Sequence, residues 1–316
     1  MKCFYSSCIL AWCRGLAITS GWMLLTVGCG NEALDLVEQE ASVGGAFLSV
    51  NALTVAPDTK DLVEGSYFPS EATIGVTVTA RDGSSYEGRS YTNCPFKASG
   101  TGAGQTWTAT GQTIWLTGLE GKAYAYYPYQ ADTDIEAIPV SGESTTDYMY
   151  AKSNGVFVDH LNPAVTFHMA HALAVVRLSI YKGEYGGVGQ LVSTALQSPS
   201  FGLSATLNAK SGKLTDYGGV DAERVLTAPD GTLLSTSDAF VQDYYVVPSG
   251  NNGAIQLKVA VDDLTFVTAT EPVTVVAGQV YTYKVSLQAV SMAISGASVT
   301  SWSYYENSTE YETNIK

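Results

Sequence analysis

The strongest constraint in this chain is an apolar/polar alternation of period two that recurs in short runs closed by turn residues. From Thr73 to Ala80, Ile74, Val76, Val78 and Ala80 alternate with Thr73, Gly75, Thr77 and Thr79. On a β-strand that spacing puts the apolar set on one face and leaves the other face wet. Asp82-Gly83 follows and suits a two-residue hairpin, whose central positions take positive φ. Downstream, Ile255, Leu257, Val259 and Val261 alternate with Gln256, Lys258 and Ala260 up to an Asp262-Asp263 turn, and Tyr281, Tyr283, Val285 and Leu287 alternate with their neighbours after Gly278. Lys210-Ser211-Gly212 and Asp230-Gly231 read as further turns. No run after residue 44 carries the period of an amphipathic helix. The expected fold class is all-β, arranged as two tandem antiparallel β-sandwich domains.

The length supports two units. A chain of 316 residues exceeds a typical single core. Charged residues make up only 15% and there are 31 glycines, which suits a turn-rich β protein. Near the midpoint, Pro163–Tyr181 is the longest β-type run. One face reads Val165, Phe167, Met169, His171, Leu173, Val175 and the other Thr166, His168, Ala170, Ala172, Ala174, Val176, Leu178, Ile180. Neither face is wholly polar beyond Ala170, so this run is expected to be covered on both sides and to act as a seam. On this reading Pro163 breaks the incoming strand and Ala164–Ile180 starts or couples the second half, dividing the fold into 45–163 and 164–316, the latter with a terminal strand and tail. Further strands are expected at Ala46–Val55, Tyr86–Thr92, Thr106–Thr110, Thr113–Thr117, Lys122–Tyr129, Ala205–Ala209, Lys213–Asp216, Leu264–Ala269 and Met292–Trp302, with loops at 99–104 and 130–147.

Residues 1–28 have the layout of an export signal. Lys2 and Arg14 form a cationic region, Gly15–Leu25 an apolar one, and Thr26-Val27-Gly28 precedes Cys29. This resembles a bacterial lipoprotein signal in which Cys29 is acylated, anchoring the chain to a membrane without a spanning helix. An ordinary secretory signal is the alternative. Residues 29–44 are acidic, with Glu32, Asp35, Glu38 and Glu40, and read as a tether. Of five cysteines, Cys3, Cys8 and Cys13 leave with the signal, Cys29 carries lipid, and Cys94 is left as a small buried apolar residue with no disulfide partner. The formal charge of −14 becomes −16 without Lys2 and Arg14, which opposes nucleic-acid binding.

The chain is poor in catalytic constellations. His160, His168 and His171 are its three histidines, and the odd spacing of the last two sends them to opposite faces of a strand, so no metal site is expected. Nucleophile-elbow, phosphate-loop and dinucleotide motifs are missing from the sequence. A pair of glycosidase-type carboxylates cannot be picked out from the many acidic residues. Asp132, Asp134 and Glu136 lack the glycine and terminal glutamate of a calcium loop and read as a solvated loop. Trp107, Trp115, Trp302 and the Tyr124–Tyr129 run are either core aromatics or a sugar-stacking platform. The expectation is a chain that is not an enzyme and needs no cofactor.

Several segments together carry a family resemblance: the lipoprotein start, Gln105-Thr106-Trp107, Thr113–Leu116, Ala123–Tyr129 (AYAYYPY), Val165–Leu173 (VTFHMAHAL), Leu207–Gly212 (LNAKSG), Gly278–Tyr281 and Gly296–Trp302. In this order they resemble the fimbrillin (Mfa-like) family of lipoprotein pilins. The resemblance implies transthyretin-like sandwiches, an outer-membrane and cell-surface location, adhesion, and assembly with other fimbrial subunits into type V fimbriae. It also implies that a trypsin-like protease removes the first strand and that a donor strand from another subunit fills the groove. Carried over, the removable strand is Ala46, Phe47, Leu48, Val50, Leu53 and Val55. The cleavage residue, usually Arg, is Lys60. The candidate donor strand is Met292, Ile294, Val299 and Trp302, with Tyr304–Lys316 as the other segment at that end. The runner-up is a surface glycan-binding lipoprotein using Trp115 and Trp302.

Overall fold

A computed structural model describes residues 44–54 and 67–302. Cys29, the tether up to residue 43, Val55, Lys60 and the tail from residue 303 lie outside the described residues. The first half of the chain forms β1 (Ala46–Phe47), β2 (Ser49–Thr54), β3 (Thr73–Ala80), β4 (Tyr91–Ser99), β5 (Thr106–Ala109), β6 (Trp115–Leu116), β7 (Gly121–Tyr127), β8 (Ile138–Ser141), β9 (Met149–Ala151), β10 (Val156–Val158) and β11 (Ala164–His171). The second half forms β12 (Ala174–Tyr181), β13 (Leu191–Gln197), β14 (Phe201–Gly202), β15 (Ser204–Asn208), β16 (Lys213–Gly218), β17 (Arg224–Thr227), β18 (Phe240–Pro248), β19 (Asn252–Gly253), β20 (Gln256–Val261), β21 (Leu264–Ala269), β22 (Val273–Thr274), β23 (Gln279–Leu287) and β24 (Met292–Ser301). Among the described residues the only helical turn is a 3-10 turn at Gly102–Gly104, so the fold is all-β.

The first sheet runs β2-β11-β9-β7-β3-β4-β5, with β10 also on β7. Its ladders are antiparallel except β2 with β11, which is parallel. Alternation sets the inward face here, where Ile74, Val76 and Val78 turn into a core with Phe96, Phe167 and Met169. The opposite face, expected to be wet, is covered too: Gly75, Thr77 and Thr79 are buried in the middle of the sheet. Gly83 takes φ 90° in the turn after β3. The next strand starts later than expected, at Tyr91, because Tyr86 is drawn out of the ladder into the core, where its hydroxyl donates to Leu119 O at 2.7 Å.

In the second half, a sheet ordered β14-β18-β12-β23-β24 faces one ordered β17-β13-β20-β21. Between them lie Val176, Leu178, Ile180, Leu257, Val259, Tyr283 and Val285. A third cluster, including Tyr126, Ile138, Val140, Leu173, Val175, Leu207 and Trp302, draws on both halves. There β8 pairs with β15, so the stretch expected to be a loop at 130–147 contains a strand whose Ile138 and Val140 point into that cluster. The described residues belong to one compact unit.

The central run is two strands rather than one. Ala164–His171 stays with the first sheet, and the chain crosses to the second-half sheet at Ala172–Leu173. Val165, Phe167 and Met169 face the first core, whereas Ala174, Val176, Leu178 and Ile180 face the second. The inward parity therefore flips at the crossing, which is why neither face of the run reads as polar. Most of β12 is buried on both sides; Arg177 and Tyr181 are half-buried, and Arg177 is bidentate to Asp243 on β18 at 2.7 Å for each contact.

Candidate functional site

Two sheet edges hold the residues singled out from the sequence. At the first, β1 pairs with β6 through Ala46↔Leu116 and Phe47↔Trp115, and β2 pairs with β11 from Ser49↔Ala164 to Thr54↔Met169. Leu48 N donates to Ile114 O and Ser49 N to Pro163 O, both at 2.9 Å. Leu48, Val50 and Ala52 are buried in the first core, Ala46 and Leu53 are half-buried, and Phe47 is 61% exposed with its ring edge-on to Trp115 at 4.8 Å. Ala52 completes the inward row set by Leu48 and Val50. It is not among the residues expected for the removable strand, although its parity with Leu48 and Val50 picks it out.

Strand β2 ends its sheet, and its ladder partner carries an asymmetry. β9 pairs with β11 only from Met169 to His171, so among the described residues Ala164–His168 have β2 as their ladder partner and no other. Taking away Ala46–Thr54 would strip the Ala164–Phe167 backbone of its ladder pairing and uncover Val165 and Phe167, while His168 O keeps its bond from Lys152 N at 2.9 Å.

The second edge is β24. It pairs antiparallel with β23 from Met292↔Leu287 to Ser301↔Gln279, with an irregularity at Lys284/Val285. Met292 is buried, Ile294 half-buried, Val299 exposed, and most of the remaining side chains are small. Trp302, the residue after it, is buried. Its indole lies flat on the His171 imidazole, with centroids 4.2 Å apart and planes at 7°, and Tyr245 approaches edge-on at 5.2 Å. Trp302 N donates to Gly278 O at 2.8 Å.

His171 Nδ1 sits 3.0 Å from Asp147 Oδ1 and 2.9 Å from Oδ2. One N–H can be directed at one oxygen only, which leaves Oδ2 a buried acceptor without a directed donor. Burial pushes the Asp147 carboxyl above its usual range, opposed by the hydrogen bond and charge of His171. His168 is half-buried, and His160 Nδ1 lies against Thr117 O at 3.0 Å, so the three histidines do not converge. Among the described residues no three His, Cys, Asp or Glu side chains form a metal-holding group.

The acidic stretch is knitted into the protein. Asp134 Oδ1 accepts from Glu136 N at 2.9 Å, Glu136 pairs with Lys210, and Asp132 and Asp134 rim a polar cleft with Thr77, Asn93 and Tyr129. Of the aromatics weighed as a sugar-stacking platform, Trp115 is half-buried and the others are largely taken into the cores. Trp107 and Trp302 are buried, Phe68 abuts Trp107 edge-on at 5.5 Å, and a Cβ on Gly45 would lie 2.2 Å from the Trp115 ring. Tyr124 and Tyr126 are buried as well. Trp107, Trp302, Tyr124 and Tyr126 serve the cores, where their large areas are buried most favourably. Cys94 is buried, and burial pushes its thiol up to about 11.

Comparison with known proteins bears on this arrangement. No curated protein sequence matches the chain. Among solved structures, a candidate cell adhesion protein of Bacteroides uniformis superposes with a TM-score of 0.61 at 21% identity, covering 83% of this chain and 99% of that one. One from Bacteroides ovatus gives 0.60 at 17%, covering 83% and 100%, and one from Bacteroides fragilis gives 0.52 at 11%, covering 84% and 100%. At these identities the likeness is one of fold. The sequence profile described as fimbrillin-like matches residues 60–302, and on that match the chain belongs to the fimbrillin-like family.

Proposed function

We propose that the chain is a structural, non-enzymatic subunit of cell-surface fimbriae that serves adhesion by polymerising. It is exported under the signal 1–28, held at the outer membrane through lipid on Cys29 and the tether 29–44, and folded as two tandem transthyretin-like domains. Among the described residues no helix is long and apolar enough to cross a membrane, and a lipid anchor needs none. A trypsin-like protease cuts at Lys60, β1 and β2 leave, and a strand from another subunit replaces them. Its partners are other fimbrial subunits, the protease and the membrane.

The observation that carries this reading is the pairing of β2. It is a short edge strand whose Val50 and Ala52, with Leu48 just before it, point inward, and it is the ladder partner of Ala164–His168. Its departure leaves unpaired N–H and C=O groups beside a row of apolar pockets, which an incoming strand satisfies by β-augmentation. An acceptor of this shape selects a donor with modest apolar side chains at alternate positions, as Leu48, Val50 and Ala52 have. The carboxy-terminal region supplies it, from Met292, Ile294, Val299 and Trp302 or from the tail beyond.

Incubating the full chain with a trypsin-like protease is expected to release a fragment ending at Lys60 and to produce an SDS-resistant ladder of oligomers. A cleaved product that stays monomeric overturns the polymerisation reading.

A further inference from the structure

One end of the first half carries a cluster of exposed apolar side chains. Leu119, Phe157 and Leu161 are 59%, 50% and 77% exposed, and Phe47 stands beside them with its ring on Trp115. Backbone bonds bring these segments together: Phe157 pairs with Lys122 and Val158 with Gly121, and His160 N donates to Thr117 O at 2.9 Å. The His160 ring lies in the middle, 3.7 Å from where a Cβ on Gly118 would be and 3.5 Å from one on Gly44. At the margin, Arg81 pairs with Glu120 at 3.0 Å and lies over the Phe157 ring, as Lys122 does. An apolar centre with a charged rim is the make-up of a protein interface, unlike apolar residues scattered singly over a surface.

Part of this surface is roofed by the strand that processing removes. Gly45 lies so close to the Trp115 indole that a Cβ has no room there, Phe47 stands edge-on to the same ring, and Gly44 lies along His160. Departure of residues 44–54 uncovers Trp115 and His160 and joins them to Leu119 and Leu161. What then faces them follows from chain direction. A donor in the β2 register runs parallel to β11 and enters beside Ala164. A strand from the carboxy-terminal region follows its own subunit's body, so that body stands at the entrance, which is the Leu119–Leu161 end. The reach is short. Ala46–Thr54 is nine residues, counting Leu48 between the two strands. A donor of that length within Tyr304–Lys316 begins no later than Ser308, six residues past Trp302, and six extended residues span about 20 Å. A donor taken from Met292–Trp302 leaves no longer a link, since β23 ends at Leu287.

We propose that the surface formed by Trp115, Leu119, Phe157, His160 and Leu161 is where the body of the donating subunit docks, a second contact beside the strand in the groove. Loss of residues 44–54 completes it, so an uncut subunit presents only part of the surface. The joint is then a seated contact between two bodies, with aromatic and leucine side chains at its centre. This rests on the strand-exchange reading and adds the place where the partner's body meets this chain.

The test is hydroxyl-radical footprinting, read by mass spectrometry, of the uncut chain, the freshly cleaved chain and the oligomers. Oxidation of Trp115 and His160 is expected to rise on cleavage. In the oligomers, oxidation of Trp115, Leu119, Phe157 and Leu161 is expected to fall by about tenfold, with Val225, exposed on β17, unchanged. The double variant Leu119→Ser with Leu161→Ser is expected to be cleaved like wild type and to form the oligomer ladder about tenfold more slowly. Oligomers in which these side chains stay as oxidised as in the cleaved monomer overturn the docking surface and leave strand exchange standing. Wild-type cleaved chain that never assembles overturns both. Protection of the uncut chain on vesicles of phosphatidylethanolamine and phosphatidylglycerol, without protection in the oligomers, gives the surface to the membrane and overturns the proposal. Should the double variant fail to fold, the wild-type footprint decides.

Discussion

The two edges of this molecule are held down by different means. β2 is pinned by side chains: Leu48, Val50 and Ala52 reach into the first core, and its parallel ladder adds backbone bonds along Ser49–Thr54. β24 is pinned by backbone along its length, by Met292 and Ile294 at its start and by the ring of Trp302 just past its end. The difference teaches that detachment has different costs at the two sites. Losing β2 opens the first core, while losing β24 breaks its ladder with β23, withdraws Met292 and Ile294 from the second core and unseats one ring.

The largest expected effect concerns β2. Cys94 on β4 lies in the first core, and its thiol is pushed up to about 11 by burial. Its labelling by a thiol reagent, read by mass spectrometry, is expected to rise by about a hundredfold or more once β2 is released. Labelling that stays slow would mean that β2 lies over the core without sealing it. Next comes Trp302→Ala, expected to cost about 3–5 kcal/mol in denaturant unfolding through the loss of a buried ring. A cost below 1 kcal/mol would erase the distinction between the edges. Leu48→Ala follows at about 2–3 kcal/mol and is expected to speed exchange in β11 while sparing β23. The smallest is Val299→Ala, exposed on β24, expected within about 0.5 kcal/mol of wild type. A larger loss there would show that β24 is held along its whole length.

Much of the fold was legible because period-two alternation is a local signal. Gln256–Val261 and Gln279–Leu287 fold as their spacing predicts, and Thr73–Ala80 forms the expected strand although both of its faces are covered. The crossing at Ala172–Leu173 was not legible, since neither residue is a turn former and the run stays apolar through it. The strand at Ile138–Ser141 hides in polar surroundings because its partner, β15, is far along the chain. At the site, the parity of His168 and His171 was readable. The partners of His171 were not, because Asp147 and Trp302 come from distant positions and no local pattern ties them together. The tryptophans illustrate the same limit: an aromatic that stacks on a ligand and one that fills a core look alike until their neighbours are known.

The parallel pairing of β2 with β11 also has a consequence for symmetry. A strand that reproduces this register has one permitted sense along Ala164–Met169. Each joint made that way repeats a single heterologous operation, acceptor of one copy to donor of the next. An assembly so built has two unlike ends, an empty groove at one and an unplaced strand at the other, and it grows by a rule that distinguishes them.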